Sequence, residues 1–179
     1  MAVKVWRCII CGDAYIGENK PSHCPFCGAH DKNIILAKNW QPKEGIDVPI
    51  KYFSDKSKEN VKAALKLELD NAAFYFCAAK KCSDVEGAKM FKALGKVEAE
   101  HASVWKKVLN LSNVETPESD SCPKVYQDEL KESHDREDRA IKHYSQFAKE
   151  AVEPRLKQIF NAIIEVETDH LSLSQERME

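Results

Sequence analysis

The feature that most constrains this chain is an internal match at one fixed spacing. Sliding the 179-residue sequence against itself by 69 positions places Glu68 on Glu137, Tyr75 on Tyr144, Glu98 on Glu167 and His101 on His170. Apolar positions follow at the same offset: Ala79 with Ala148, Phe91 with Phe160, Ala93 with Ala162 and Val97 with Val166. With only six His and five Tyr in the chain, chance does not produce both matches together. A unit whose apolar positions recur in this way buries the same face twice, as two similar hairpins packed about a pseudo-twofold axis do.

The repeat lies in a region rich in Ala, Leu, Lys and Glu at helical spacing, interrupted at Gly87, at Leu111 to Pro123 and at Pro154. It predicts four helices, near 55–81, 84–109, 124–151 and 154–175, with Ser54 or Asp55 capping the first and Pro154 in the first turn of the last. Short turns join the first pair and the second pair. The segment between the pairs, with Pro117, Ser119, Asp120 and Ser121, is long enough to cross over, which gives a ferritin-like four-helix bundle.

Glu98-x-x-His101 and Glu167-x-x-His170 are i,i+3 pairs, so each carboxylate and its imidazole leave one helix face together. Glu68 and Glu137 add one carboxylate each from the other two helices, completing the ligand set of a di-iron carboxylate bundle. Four carboxylates in a bundle core are prohibitive without cations, and two divalent metals cancel their charge. Oxygen-rich ligation with imidazole suits iron or manganese. Tyr75 and Tyr144, seven residues after Glu68 and Glu137, return to the same face and are the candidate catalytic residues, able to hydrogen-bond a ligand carboxylate and donate a proton. Glu100 and Asp169, each just before a histidine of the set, are candidates for holding its free ring N–H, with surface carboxylates as the plainer expectation.

Residues 1–40 have a different character, with turns, strand candidates at Val3–Trp6 and Ile34–Ala37, and Cys8-x-x-Cys11 followed by Cys24-Pro-x-Cys27. A glycine follows each pair, Gly12 and Gly28, so two tight turns aim backbone amides at four thiolates, a tetrahedral site that suits iron and zinc equally on its ligands. Residues 41–53, with Pro42, Gly45 and Pro49, have no helical period and are expected to form a linker to a bundle at 54–179. The longest apolar run, Ala72–Ala79, is eight residues, far short of a membrane span, and the N-terminus lacks the apolar core of an export signal. Seven cysteines without such a signal favour metal or redox use in a reducing cytoplasm over a disulfide framework. A net charge of −2 with no basic stripe excludes nucleic acid as the expected partner.

The bundle motifs Glu68…Tyr75, Glu98-Ala-Glu-His101, Glu137…Tyr144 and Glu167-Thr-Asp-His170, with Trp6-Arg-Cys8-Ile-Ile-Cys11-Gly12…Pro21-Ser-His-Cys24-Pro25-Phe-Cys27, resemble the rubrerythrin family over nearly the whole chain. The rubredoxin-like unit comes first, as in the form called reverse rubrerythrin. Many members carry a further Glu three residues after the one matched by Glu137, where this chain has Ala140. The resemblance implies a mainly α fold and a cytoplasmic non-haem peroxidase that reduces hydrogen peroxide to water. It further implies a carboxylate-bridged pair of irons and a third iron, or zinc, on the four cysteines. An external donor, an NAD(P)H-linked flavoprotein reductase or a rubredoxin, would supply electrons. A homo-oligomer is expected, in which the linker could set the rubredoxin-like unit on a neighbouring subunit's bundle.

Two other readings compete with this one. A ferroxidase or iron-handling protein shares every bundle ligand but needs no electron inlet, so the four-cysteine unit weighs against it. A zinc-knuckle redox-sensing module is the other. Among the remaining residues, Cys77 and Cys82 are five apart, about 500° around a helix, and are not expected to pair; Cys77 is expected in the core and Cys122 exposed in the crossover. His23, His30, His134 and His143 are expected at the surface.

Overall fold

The computed structural model describes residues 2–114, 116–118 and 121–179, so Ser119 and Asp120 of the crossover lie outside the described residues. Four long helices carry the chain: α1 (Asp55–Lys81), α2 (Val85–Val108), α3 (Tyr126–Glu150) and α4 (Pro154–Met178). Their starts follow the local chemistry. The Ser54 hydroxyl accepts from the Ser57 N–H, Asp84 accepts from the Gly87 N–H, and Pro154, whose missing N–H is no loss in a first turn, opens α4. α1 packs along α2, α3 along α4, and α1 meets α3 across the crossover, which is the ferritin-like arrangement.

Ahead of the bundle stands a three-stranded antiparallel sheet in the order β2–β1–β3, made of β1 (Lys4–Cys8), β2 (Ala14–Gly17) and β3 (Ile34–Leu36). The strand β2 was not expected from the sequence, because Ala14-Tyr-Ile-Gly17 is short and has no apolar alternation; β1 supplies the pairing that makes it a strand. Residues 41–53 form no helix or strand, yet Ile46, Ile50 and Phe53 pack against the apolar core.

The larger of two apolar clusters spans both units. Cys8, Ile10, Cys11, Cys24 and Cys27 of the N-terminal unit share one buried cluster with Val61, Trp105, Tyr144, Phe160 and Ile163 of the bundle. The N-terminal unit thus sits on its own chain's helices. Bundle cations fasten it: Arg155 donates to the carbonyls of Ile9 (2.5 Å) and Glu44 (3.1 Å), and Lys107 to that of Cys11 (2.9 Å). Gly28, at φ +72°, lies so close to α4 that a Cβ there would stand 2.7 Å from Val166 Cγ1.

One expectation is corrected. Cys77 and Cys122 form a disulfide between α1 and the crossover, so Cys77 is not merely a core thiol, Cys122 is not simply exposed, and the cysteines outside the N-terminal unit do include a bridge. The crossover folds back over α1, and its path could not be read from its composition. Cys82 remains a free thiol, pushed up to about 11 by burial and by the adjacent Glu129 carboxylate. Among the described residues, no helix is long and apolar enough to cross a membrane.

Candidate metal centres

The two cysteine turns close on each other. Gly12 N–H returns to the Cys8 carbonyl (3.0 Å) and Gly28 N–H to the Cys24 carbonyl (2.9 Å), each glycine taking the positive φ that such a turn requires. The sulfurs of Cys8 and Cys27 stand 3.7 Å apart and those of Cys11 and Cys24 3.8 Å apart, and all four residues are buried. Four thiolates at about 2.3 Å from a tetrahedral ion have edges of about 3.8 Å, so the spacing fits a metal. The N–H groups of Ile10 and Asp13 point at Cys8 and Cys11 sulfur, both at 3.4 Å. Hydrogen bonds within the cluster split it. Contact with Cys24 raises the Cys11 thiol, and contact with Cys11 lowers Cys24 and Cys8. Cys27 is raised because Cys24, Cys8 and burial outweigh the lowering contact with Cys11. All four ionise together only against a cation.

The helices bring together all six bundle residues expected to be metal ligands. Glu68, Glu98, His101 and Glu167 converge as one group and Glu98, Glu137, Glu167 and His170 as a second, so Glu98 and Glu167 belong to both. Two adjacent pockets sharing two carboxylates, with one terminal Glu and one His each, are the layout of a carboxylate-bridged two-metal centre. His101 Nδ1 lies 3.1 Å from Glu167 and 3.7 Å from both Glu68 and Glu98. His170 Nδ1 lies 3.1 Å from both Glu98 and Glu167 and 4.0 Å from Glu137.

All four glutamates are fully buried, and Glu68 Oε2, both oxygens of Glu98, Glu137 Oε2, Glu167 Oε1 and His101 Nδ1 have no hydrogen-bond partner. Orphaned buried oxygens at this density are intolerable in a finished core, and their aim at common points fits metal ions. Burial, then repulsion from Glu98 and Glu167, holds Glu68 and Glu137 well above the carboxylate range. Burial opposes ionisation of Glu98 too, but the adjacent His101 and His170 imidazoles, 3.7 Å and 3.1 Å away, outweigh it and keep its pKa low. Glu167 is likewise lowered by both histidines against burial. Both imidazoles, which burial alone would lower, are raised well above their ordinary value by these carboxylates.

Each tyrosine serves the opposite hairpin's glutamate. Tyr75 OH donates to Glu137 and lies 2.8 Å from the Ser133 hydroxyl; Tyr144 OH donates to Glu68 and accepts from Trp105 Nε1 at 2.9 Å. Ser133 and Trp105 were not identified in the sequence, although each sits one turn from a residue that was. Burial, then the nearby carboxylates, raises both phenols, so they stay protonated.

Glu100 and Asp169 do not hold the histidine N–H groups. His101 Nε2 lies 2.9 Å from the carbonyl of Cys27, which fixes its tautomer with Nδ1 facing the carboxylates, while Asp169 pairs with His30 at 2.7 Å. Glu100 instead faces Asp13 and Lys107, and burial and Asp13 push it up to about 7. His134 is half-buried and is not among the converging atoms; Ala140 is fully buried in the core.

A rubrerythrin family profile matches residues 59–177. Reverse rubrerythrin-1 of Clostridium acetobutylicum is 30% identical over 115 residues, covering 60% of this chain and 62% of that protein, so the chain spans about three-fifths of the curated relative's length. No solved structure matches. The profile covers well over half of the chain, and it falls on helices that assemble two Glu and two Glu-x-x-His pairs behind an N-terminal four-cysteine unit: the chain belongs to the rubrerythrin family, in its reverse order.

Proposed function

We propose that this protein is a non-haem di-iron peroxidase that reduces hydrogen peroxide to two waters, taking two electrons and two protons per molecule. Glu68, Glu98, His101, Glu137, Glu167 and His170 would hold two irons, and Cys8, Cys11, Cys24 and Cys27 a third. When bound, the two bundle irons would supply the two electrons that cleavage of one O–O bond consumes, and an iron on the four cysteines would supply one-electron redox chemistry for their replacement. Electrons come from a flavoprotein reductase using NAD(P)H or from a rubredoxin in the cytoplasm, and the working form is a homo-oligomer.

The observation that carries this reading is the hydrogen bond between His101 Nε2 and the carbonyl of Cys27, 2.9 Å long. It joins a residue of the four-sulfur site to a histidine of the carboxylate site with no solvent between them, since both are buried. Iron storage has no use for such a junction; reductive turnover does. Tyr75 and Tyr144, kept protonated at neutral pH, present O–H groups beside Glu137 and Glu68 and so hold protons at the edge of the site. Burial of the four glutamates excludes bulk water, which strengthens those hydrogen bonds.

The test replaces Cys8 and Cys11 by Ser. Cys8 and Cys11 supply none of the bundle's six candidate ligands, so pre-reduced variant that keeps its helicity and bundle metal consumes one peroxide per di-iron site in a single turnover, while steady-state turnover with an external reductase collapses. Unchanged steady-state reduction would overturn the inlet assignment and return the protein to iron oxidation, whose electrons arrive with Fe(II) itself.

A further inference from the structure

Outside both centres, three side chains of complementary chemistry meet where the N-terminal unit touches α4. His23 and His30 face each other across an isolated antiparallel bridge, their rings 4.8 Å apart and nearly perpendicular. Both turn Nε2 toward one oxygen of Asp169 on α4: His30 Nε2 is 2.7 Å and His23 Nε2 is 3.7 Å from Asp169 Oδ2. Donors about 2.0–2.1 Å from a tetrahedral ion stand about 3.4 Å apart, so these spacings fall on either side of the value a metal would impose.

The far nitrogens carry the argument further. His23 Nδ1 lies 3.1 Å from the Ser22 hydroxyl, and His30 Nδ1 faces Glu165 Oε2 at 3.9 Å, with Lys32 paired to the other Glu165 oxygen. A ligating imidazole characteristically has its second ring nitrogen held by an outer partner, which fixes the tautomer and leaves the inner lone pair free; the Ser22 hydroxyl does this for His23, while the Glu165 carboxylate lies near His30 Nδ1 without a hydrogen bond to it. A plain His–Asp ion pair needs neither the second imidazole nor the hydroxyl behind it.

We propose that His23, His30 and Asp169 form a third metal site, distinct from the two centres above, for a divalent first-row ion that favours imidazole, with Zn2+ as the best fit. Two nitrogens and one carboxylate oxygen are borderline ligands of the kind zinc accepts, and copper(II) or nickel(II) would enter by the same chemistry. The side chains are 52%, 33% and 50% exposed, so water completes the shell and the ion exchanges freely. Its place gives it a role. His23 and His30 bracket Cys24 and Cys27, and Asp169 precedes His170, so the ion would clamp the N-terminal unit onto α4 beside the junction of the two centres.

The test uses iron-loaded protein dialysed against micromolar Zn2+, with the thiolate chromophore monitored to show that its iron stays in place. Wild type takes up one zinc more than His30→Ala or His23→Ala, each of which weakens that site at least tenfold. Zinc also raises the melting temperature of wild type and leaves that of both variants unmoved. Because all three positions are partly exposed, His23→Gln and His30→Gln, checked for unchanged iron content and helicity, give a second set that folds. Equal zinc uptake by wild type and variants, or none by either, overturns the site while leaving the peroxidase reading untouched.

Discussion

Loading the bundle with metal should release about four protons for two metals. The number follows from the charges in the metal-free site. Glu68 and Glu137 are held well above the carboxylate range by burial and by their neighbours, so each carries a proton at pH 7. Glu98 and Glu167 are ionised, and His101 and His170 are imidazolium, because the two pairs stabilise each other against burial. The metal-free cluster is therefore neutral: two carboxylates against two imidazolium ions. Two divalent metals restore neutrality only against four carboxylates and two neutral imidazoles, so two carboxyl and two imidazolium protons must leave. Both tyrosines stay protonated throughout and contribute nothing. By linkage, the combined binding constant rises about four decades per pH unit near neutrality. Anaerobic Fe(II) titration of protein whose thiolate site is already filled, in weak buffer with an indicator dye, counts the protons directly. Glu68→Gln lowers the count to about three. The same charges give a sign for stability: the metal-free fold binds more protons than the unfolded chain, so it loses stability as pH rises through the elevated pKa values, and the metal-bound fold does not. Release of two protons or fewer would refute the charge assignment.

Three further outcomes are expected. Gly28→Ala sets a Cβ 2.7 Å from Val166 at a left-handed φ and should cost about 1–3 kcal/mol in thermal or denaturant melts, part of which Val166→Ala in the same chain recovers. Cys122→Ser opens a loop of 45 residues and, on the chain-entropy estimate, removes up to about 4 kcal/mol of stability under non-reducing conditions, with no loss when wild type and variant are compared in reductant. Cys82, at about 11, is roughly 1 in 1,000 thiolate at pH 8, so its alkylation, followed by mass spectrometry of the modified peptide, should run about 100-fold slower than that of an equally accessible ordinary thiol and accelerate tenfold per pH unit; a rate independent of pH would refute the shift.

Much of the architecture was legible because it rests on local rules. Helical spacing, the Ser54 cap and Pro154 place the helix ends within about two or three residues of where they lie. The 69-residue offset brings out Glu68, Glu98, His101, Glu137, Glu167 and His170, which the fold gathers into two pockets. What escaped depends on contacts between distant segments. Strand β2 exists because β1 pairs with it. Arg155 and Lys107 look like ordinary helix-surface cations until the carbonyls of Ile9 and Cys11 arrive above them. The Cys77–Cys122 bridge depends on where a crossover without regular structure comes to rest.

The repeat also says where its own symmetry must stop. The candidate metal ligands are duplicated, but the outer partners are not: Trp105 donates to Tyr144, while the position 69 residues later is Ser174; Ser133 serves Tyr75, while the position 69 earlier is Ala64. The N-terminal unit deepens the difference. It covers His101 completely through the Cys27 carbonyl and leaves the His170 side chain 10% exposed. Two pockets with the same ligands thus have unequal exteriors, one facing the four-sulfur site and one nearer solvent. In a symmetric bundle an electron has no preferred side from which to enter. On the peroxidase reading proposed above, the asymmetry supplied by residues outside the duplication would give it one, so the motif alone points to the candidate metal site and only the packed N-terminal unit would give electron entry a direction.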